Sequence, residues 1–215
     1  MPGFGMLVDD FGDNVRDPVL WSQSYGDPVE AGGRARIPCT TGYAAYRSAS
    51  VYSLAWAQVA ARVYPPAASG ASTAAMSFLV LSGTGGTDAG FLIDAAQTAM
   101  GLYLRVGYAD GGALFLTYDP VAHAFLRLRE DGGTLHWETS ADGVAWTVRR
   151  TAASPAWVSQ STLSLLIEAH RDAGADDFAE ADQLNTARPG GLAHGARTGA
   201  GLSHLARTAP TLSGG

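Results

Sequence analysis

The residues of this 215-residue chain best suited to chemistry are carboxylates on segments that read as strands. Glu130 and Glu138 fall on two runs joined by a tight turn, and Glu168 falls close to Asp172. Two carboxyl groups facing each other across ~5–9 Å can hydrolyse a glycosidic bond, one giving a proton to the leaving oxygen while the other attacks or activates water. The settings of these residues weaken that reading. Glu130 abuts the Asp131-Gly132 turn, and Glu168 lies among core residues of a strand, with Leu163, Leu165, Ile167 and Ala169 on one side.

Other chemistry is sparse. There is no glycine-rich phosphate loop, no Gly-x-Ser-x-Gly elbow, no His-Glu-x-x-His and no Cys-x-x-Cys. His123, His136, His170, His194 and His204 have no ligand spacing. Asp9, Asp10 and Asp13, or Asp176 and Asp177, could offer oxygens to calcium, but solvated loops and turn caps are the simpler reading, so no cofactor is expected. Aromatic side chains are the remaining option, as stacking platforms for sugar rings. Trp137 and Trp146 occupy alternating strand positions that favour a core role, whereas Trp157 sits in a loop. Trp157, Trp146 and Tyr108 are the candidate glycan contacts.

The elements that would position these groups are strands. Helical periodicity is nearly absent; residues 51–61 and 176–184 are the best short helix candidates, and 57–64 alternates as a strand. Residues 101–150 read as a five-strand meander over 102–108, 113–118, 125–130, 134–139 and 145–149. Asp110-Gly111, Asp131-Gly132 and Asp142-Gly143 reverse it, because Asp and Gly tolerate the positive φ of tight hairpins. Runs at 34–38, 43–48, 57–64 and 76–81 can supply a second sheet, and 163–170 a final core strand. The expected fold is all-β, an antiparallel two-sheet sandwich, with an up-and-down barrel as the alternative closure.

Composition divides the chain at residue 182. Residues 1–182 carry 11 Arg and 20 acids, a net charge of −9, and are read as the sandwich domain; residues 183–215 carry three Arg and no acid, and are read as a Gly/Ala-rich arm. An acidic body argues against nucleic-acid binding. The arm repeats Gly-Leu-Ala-His-Gly-Ala-Arg-Thr as Gly-Leu-Ser-His-Leu-Ala-Arg-Thr ten residues on, which makes Leu192, Arg197, Leu202, Leu205 and Arg207 candidate assembly contacts. Cys39 is the single cysteine and reads as a buried hydrophobe. The opening residues have no secretory pattern, and no segment approaches the ~20 apolar residues of a membrane span.

Residues 118–147, YDPVAHAFLRLREDGGTLHWETSADGVAWT, resemble a stretch of concanavalin A-like lectin/glucanase sandwich modules, through Arg127, Arg129, Glu130, Trp137, Glu138, Ser140, Asp142, Gly143 and Trp146. Asp9, Phe11, Asn14, Leu20 and Trp21 resemble the opening of the same modules, and Gly42-Tyr43 also fits. The resemblance covers about residues 7–180 and extends to modules of actinobacterial phage tail and other virion proteins. It implies a jelly-roll sandwich and, in some members, sugar binding. Jelly-roll glucanases carry their acids on one strand as Glu-x-Asp-x-Glu, a spacing absent here. The expectation is therefore a non-enzymatic display component of a virion or tail-like assembly, a homo-oligomer made in the host cytoplasm. Its arm would attach it to other virion proteins or to copies of itself, and its partners could include host surface glycans. The alternatives are a stand-alone lectin-like module or, less favoured, a glycoside hydrolase.

Overall fold

The computed structural model describes residues 2–186, so the five candidate assembly contacts of the arm lie outside the described residues. The chain folds as two packed antiparallel sheets, a jelly-roll sandwich. One sheet has seven strands in the order β1 (Val29–Glu30), β2 (Ala35–Cys39), β13 (Asp177–Asp182), β4 (Gln58–Tyr64), β9 (Phe125–Asp131), β10 (Thr134–Ser140) and β11 (Thr147–Ala153). The other has six, in the order β3 (Ala44–Arg47), β12 (Ser164–Arg171), β5 (Ala74–Leu81), β6 (Asp88–Asp94), β7 (Ala99–Arg105) and β8 (Leu114–Thr117).

Period-two alternation produces the strands. In β4, Val59, Ala61 and Val63 are buried while Gln58, Ala60, Arg62 and Tyr64 face outward. Phe78, Phe91 and Leu102 from the six-stranded sheet meet Ile37, Val59, Leu128 and Trp137 from the other in one core. The Trp137 indole N–H donates to the Gly90 carbonyl at 3.0 Å, crossing from sheet to sheet. Only glycine fits at 90: its φ is 151°, and a Cβ there would stand 2.1 Å from the Phe78 carbonyl oxygen. Cys39 is buried, and burial pushes its thiol up to about 11.

All three Asp-Gly turns join adjacent antiparallel strands, but the meander they suggested is split. β7 and β8 belong to the six-stranded sheet and β9, β10 and β11 to the seven-stranded one. The chain crosses between them at 119–124, where the Asp119 carboxylate accepts the Val121 and Ala122 N–H groups and pins a turn that no hairpin pattern marks. The early strands are divided as well, β2 and β4 to one sheet and β3 and β5 to the other. Residues 176–184, read as a helix candidate, instead supply β13, which buries Ala179 and Ala181 between β2 and β4.

The motif residues now have structural roles. Asp9 accepts the Trp21 indole N–H at 2.7 Å, and Phe11, Trp21 and Tyr46 pack ring against ring in the core. Ser140 and Asp142 hydrogen-bond to each other and to the backbone of their turn. Asp9, Asp10 and Asp13 each accept a backbone N–H two residues on, and Asp177 accepts that of Ala67. Among the described residues no group of three His, Cys, Asp or Glu converges as a metal site.

Candidate active site

The outer face of the six-stranded sheet brings together the half-exposed side chains with reactive potential. Strand register places Ala45, Glu168, Ser77, Leu92, Gly101 and Phe115 in one row across β3, β12, β5, β6, β7 and β8. At ~4.8 Å per strand the row spans about 24 Å. Glu168 points outward because its neighbours Ile167 and Ala169 point into the core. The segment before β3 doubles back so that Tyr25 pairs with Ala45 at the sheet edge, through N–H···O bonds of 3.1 and 2.8 Å. From there Tyr25 reaches over Ala45, and its hydroxyl donates to Glu168 Oε2. Burial, then the hydrogen bond to Glu168 and its charge, hold the Tyr25 phenol well above its usual range.

Three more groups surround this pair. Arg47, on the adjacent strand, places its Nε 3.4 Å from Ser164 Oγ, and its charge partly offsets the rise at Tyr25. His170 is the next outward position after Glu168 on β12, and the exposed Tyr43 ring lies 4.3 Å from its imidazole, centroid to centroid. Across the sheet, Tyr103 meets the exposed Phe115 edge-on at 5.8 Å. Between the two flanks Ala45, Leu79 and Leu166 form a small apolar cluster with Leu81. The face is thus an apolar lane with aromatic rings at both ends and a carboxylate–phenol pair near one of them.

The other sequence-identified acids have different surroundings. Glu138 is buried between Arg127 and Arg129, whose Nη2 lies 3.1 Å away. Burial raises its pKa, but hydrogen bonds and charge from Arg129 and Arg127 outweigh it and the net shift is downward. Glu130 is buried and accepts the Trp56 N–H, the Gly133 N–H and the Ser154 hydroxyl. Both hold hairpins in place. On the six-stranded face, β6 turns Asp88, Gly90, Leu92 and Asp94 outward. Asp88 is buried against Arg105 at 2.9 Å, and Asp94 caps the Ala74 and Ala96 N–H groups.

The three candidate glycan contacts have separate neighbours. Trp146 is half-buried beneath the Arg127 guanidinium, 4.1 Å from its ring centroid, on the seven-stranded sheet. Trp157, expected to be exposed, is half-buried against the core in a 3-10 turn, Ala156–Ser159. Tyr108 is exposed beyond β7, with φ 70° and its N–H on the Gly86 carbonyl. Sequence reading missed Tyr25 as a neighbour of Glu168, because an edge pairing with no hairpin signal of its own brings it there, and did not link His170, two residues on along the same strand, or Arg47 and Tyr43, to that acid.

No family model matches the sequence, and no curated protein does. Solved structures do match. A laminarinase catalytic domain from Thermotoga petrophila, an endo-1,3-β-glucanase, superposes with a TM-score of 0.63 at 11% identity, over 82% of this chain and 94% of that one. The fold is a concanavalin A-like sandwich. A laminarinase from Flavobacterium gives 0.62 at 9% identity over 82% and 96%, and the Bacillus licheniformis β-glucanase 0.58 at 14% over 82% and 95%. These structures overturn the expectation of a non-enzymatic display component: in all three, a glycan hydrolase is built on this sandwich. That expectation rests on the absent secretory pattern, the absent Glu-x-Asp-x-Glu spacing, the arm and the resemblance to virion modules, none of which describes what the sheet face can hold.

Proposed function

We propose that the protein is a glycoside hydrolase that takes a β-glucan-like chain across the outer face of the six-stranded sheet. The observation that carries this reading is Glu168, a half-exposed carboxylate held by a phenol rather than an arginine, in an apolar lane flanked by aromatic rings. The fold shared with laminarinases and β-glucanases supports the substrate class. Because the Glu-x-Asp-x-Glu spacing is absent, the chemistry is assigned to a different pair.

In this reading Glu168 is the general base. Tyr25 donates to one carboxylate oxygen and leaves the other oxygen for water. Glu168 takes a proton from that water as its oxygen bonds to the anomeric carbon. The glycosidic bond breaks, and His170 gives a proton to the departing sugar oxygen. Both side chains leave the same face of β12, two residues and so about 6.8 Å of backbone apart, which leaves room for a water between them as an inverting reaction requires. The experiment is reducing-sugar release from laminarin and mixed-linkage β-glucan, with NMR of the first anomer formed. Wild type should release sugar with inversion, and Glu168→Gln and His170→Phe should each lose most of the rate. No release by the wild type rejects the reading, and a retained anomer rejects the assigned pair.

A further inference from the structure

We propose that the opposite, seven-stranded sheet carries a second saccharide site, built on Trp56, that takes one pyranose unit of a polysaccharide chain. Trp56, just before β4, is 78% exposed and has φ 55°. A bulky residue in this left-handed region is strained and persists only where its surroundings over-determine it. Here the buried Glu130 carboxylate does so. It accepts the Trp56 N–H at 2.6 Å, the Gly133 N–H at 2.7 Å and the Ser154 hydroxyl at 3.1 Å, locking the loop before β4 to the β9–β10 turn and to the end of β11. The Ala57 carbonyl accepts the Glu130 N–H at 2.9 Å and closes the clamp.

The clamp aims the indole at a cavity. A Cβ on Gly132 would stand 3.5 Å from the Trp56 ring, so the glycine of the β9–β10 turn is also the surface the ring passes over. Beside the ring lies a cavity of about 280 Å³ lined by Trp56, Ala57, Gln58, Arg129, Glu130 and Asp131. Gln58 is exposed, and the Asp131 side chain is 59% exposed while it pairs with Arg129 at 2.9 Å. An apolar ring face bordered by an amide, a carboxylate and a guanidinium matches a pyranose, whose C–H face stacks and whose rim of hydroxyls both donates and accepts. The site lies on the sheet opposite Glu168 and touches none of its neighbours. It would hold a polymer to the protein surface while another stretch of it lies across the six-stranded sheet.

That the polymer is a β-glucan rests on the proposed function. The test is affinity electrophoresis through gels containing laminarin or mixed-linkage barley β-glucan. It compares Glu168→Gln, which leaves the polymer intact, with the double variant Glu168→Gln/Trp56→Gly. Glycine relieves the positive φ, so the double variant should melt no lower than its parent. The parent should be retarded in at least one gel, and loss of the indole should raise the dissociation constant at least about tenfold. Asp131→Ala in the same background should weaken retardation without lowering the melting temperature. Absence of retardation in both gels, or equal retardation of parent and double variant, overturns the second site. Trp56-dependent retardation by a protein whose wild type releases no sugar overturns the hydrolase reading alone.

Discussion

Tyr25 and Glu168, 143 residues apart in sequence, meet on the outer face of the six-stranded sheet, the tyrosine hydroxyl donating to the carboxylate. Neither is on a strand that pairs directly with the other. Ala45 lies between them, and its missing side-chain bulk lets the phenol pass over. If that hydrogen bond holds the Glu168 carboxylate in place, Tyr25→Phe should lower kcat about tenfold with little change in KM, as expected for losing one positioning hydrogen bond. The phenol itself should stay protonated well above pH 10. An ultraviolet titration at about pH 11 should therefore show the same tyrosinate signal in wild type and Tyr25→Phe.

Glu30 predicts a pH dependence of stability. Burial raises its pKa to about 7, reinforced by a hydrogen bond with Asp13 and by the charges of Asp9 and Asp13. The folded state thus holds a proton that the unfolded chain, near the model value of 4.5, gives up. This contribution is complete below about pH 4.5 and is lost as pH rises through about 7. It is worth on the order of 3 to 4 kcal/mol at 1.36 kcal/mol per unit. Glu30→Gln should flatten that part of the pH profile in denaturant titrations and raise stability at pH 8.

Glu138 should behave as a structural acid. Removing its carboxylate takes away the buried acceptor that Arg127 and Arg129 share, leaving Arg129 its exposed partner Asp131 and Arg127 its stack on Trp146, so Glu138→Ala should cost about 2–3 kcal/mol in urea unfolding. Its pKa is lowered, so the stability it supplies is present above the usual glutamate range and fades as pH falls below it. Any Glu138 variant that remains folded should keep its hydrolytic rate.

Asn185 closes the sandwich. Its side-chain amide donates to the Phe4 and Leu7 carbonyls at 2.8 Å each, accepts the Ala60 N–H at 2.8 Å, and its own N–H reaches the Ala60 carbonyl. Asn185→Ala should cost about 2–4 kcal/mol, because buried backbone groups lose their partners. A chain ending at residue 186 should melt within a few degrees of the full chain by calorimetry.

Much of this fold was legible in the sequence because alternation and Asp-Gly turns are local signals. Turns at 110–111, 131–132 and 142–143 and the core positions of Trp137 and Leu128 follow from them. Sheet membership was not legible. Which sheet β8 or β9 joins depends on the Asp119 turn and on burial partners far away in sequence, so the five-strand meander was an over-extension of a local rule. β13 was read toward helix because Ala, Glu and Asp alternate there without β-branched residues, and packing between β2 and β4 overrode that propensity. Of the candidate site, Glu168 was visible as an acid but weakened by its apolar neighbours, which turn out to face the other way. Trp56 stands in the sequence only as one of five tryptophans that could stack on a sugar, because its positive φ is imposed by Glu130, 74 residues later.

If Glu168 is the base of the proposed hydrolase, glycosidic cleavage depends on its carboxylate. The most direct measurement is the initial rate of reducing-sugar release from laminarin by wild type and Glu168→Gln, each checked for an unchanged melting temperature. The wild-type rate should fall about 10²–10⁴-fold in the amide variant. Equal rates in the two proteins, or none in either, would contradict that role.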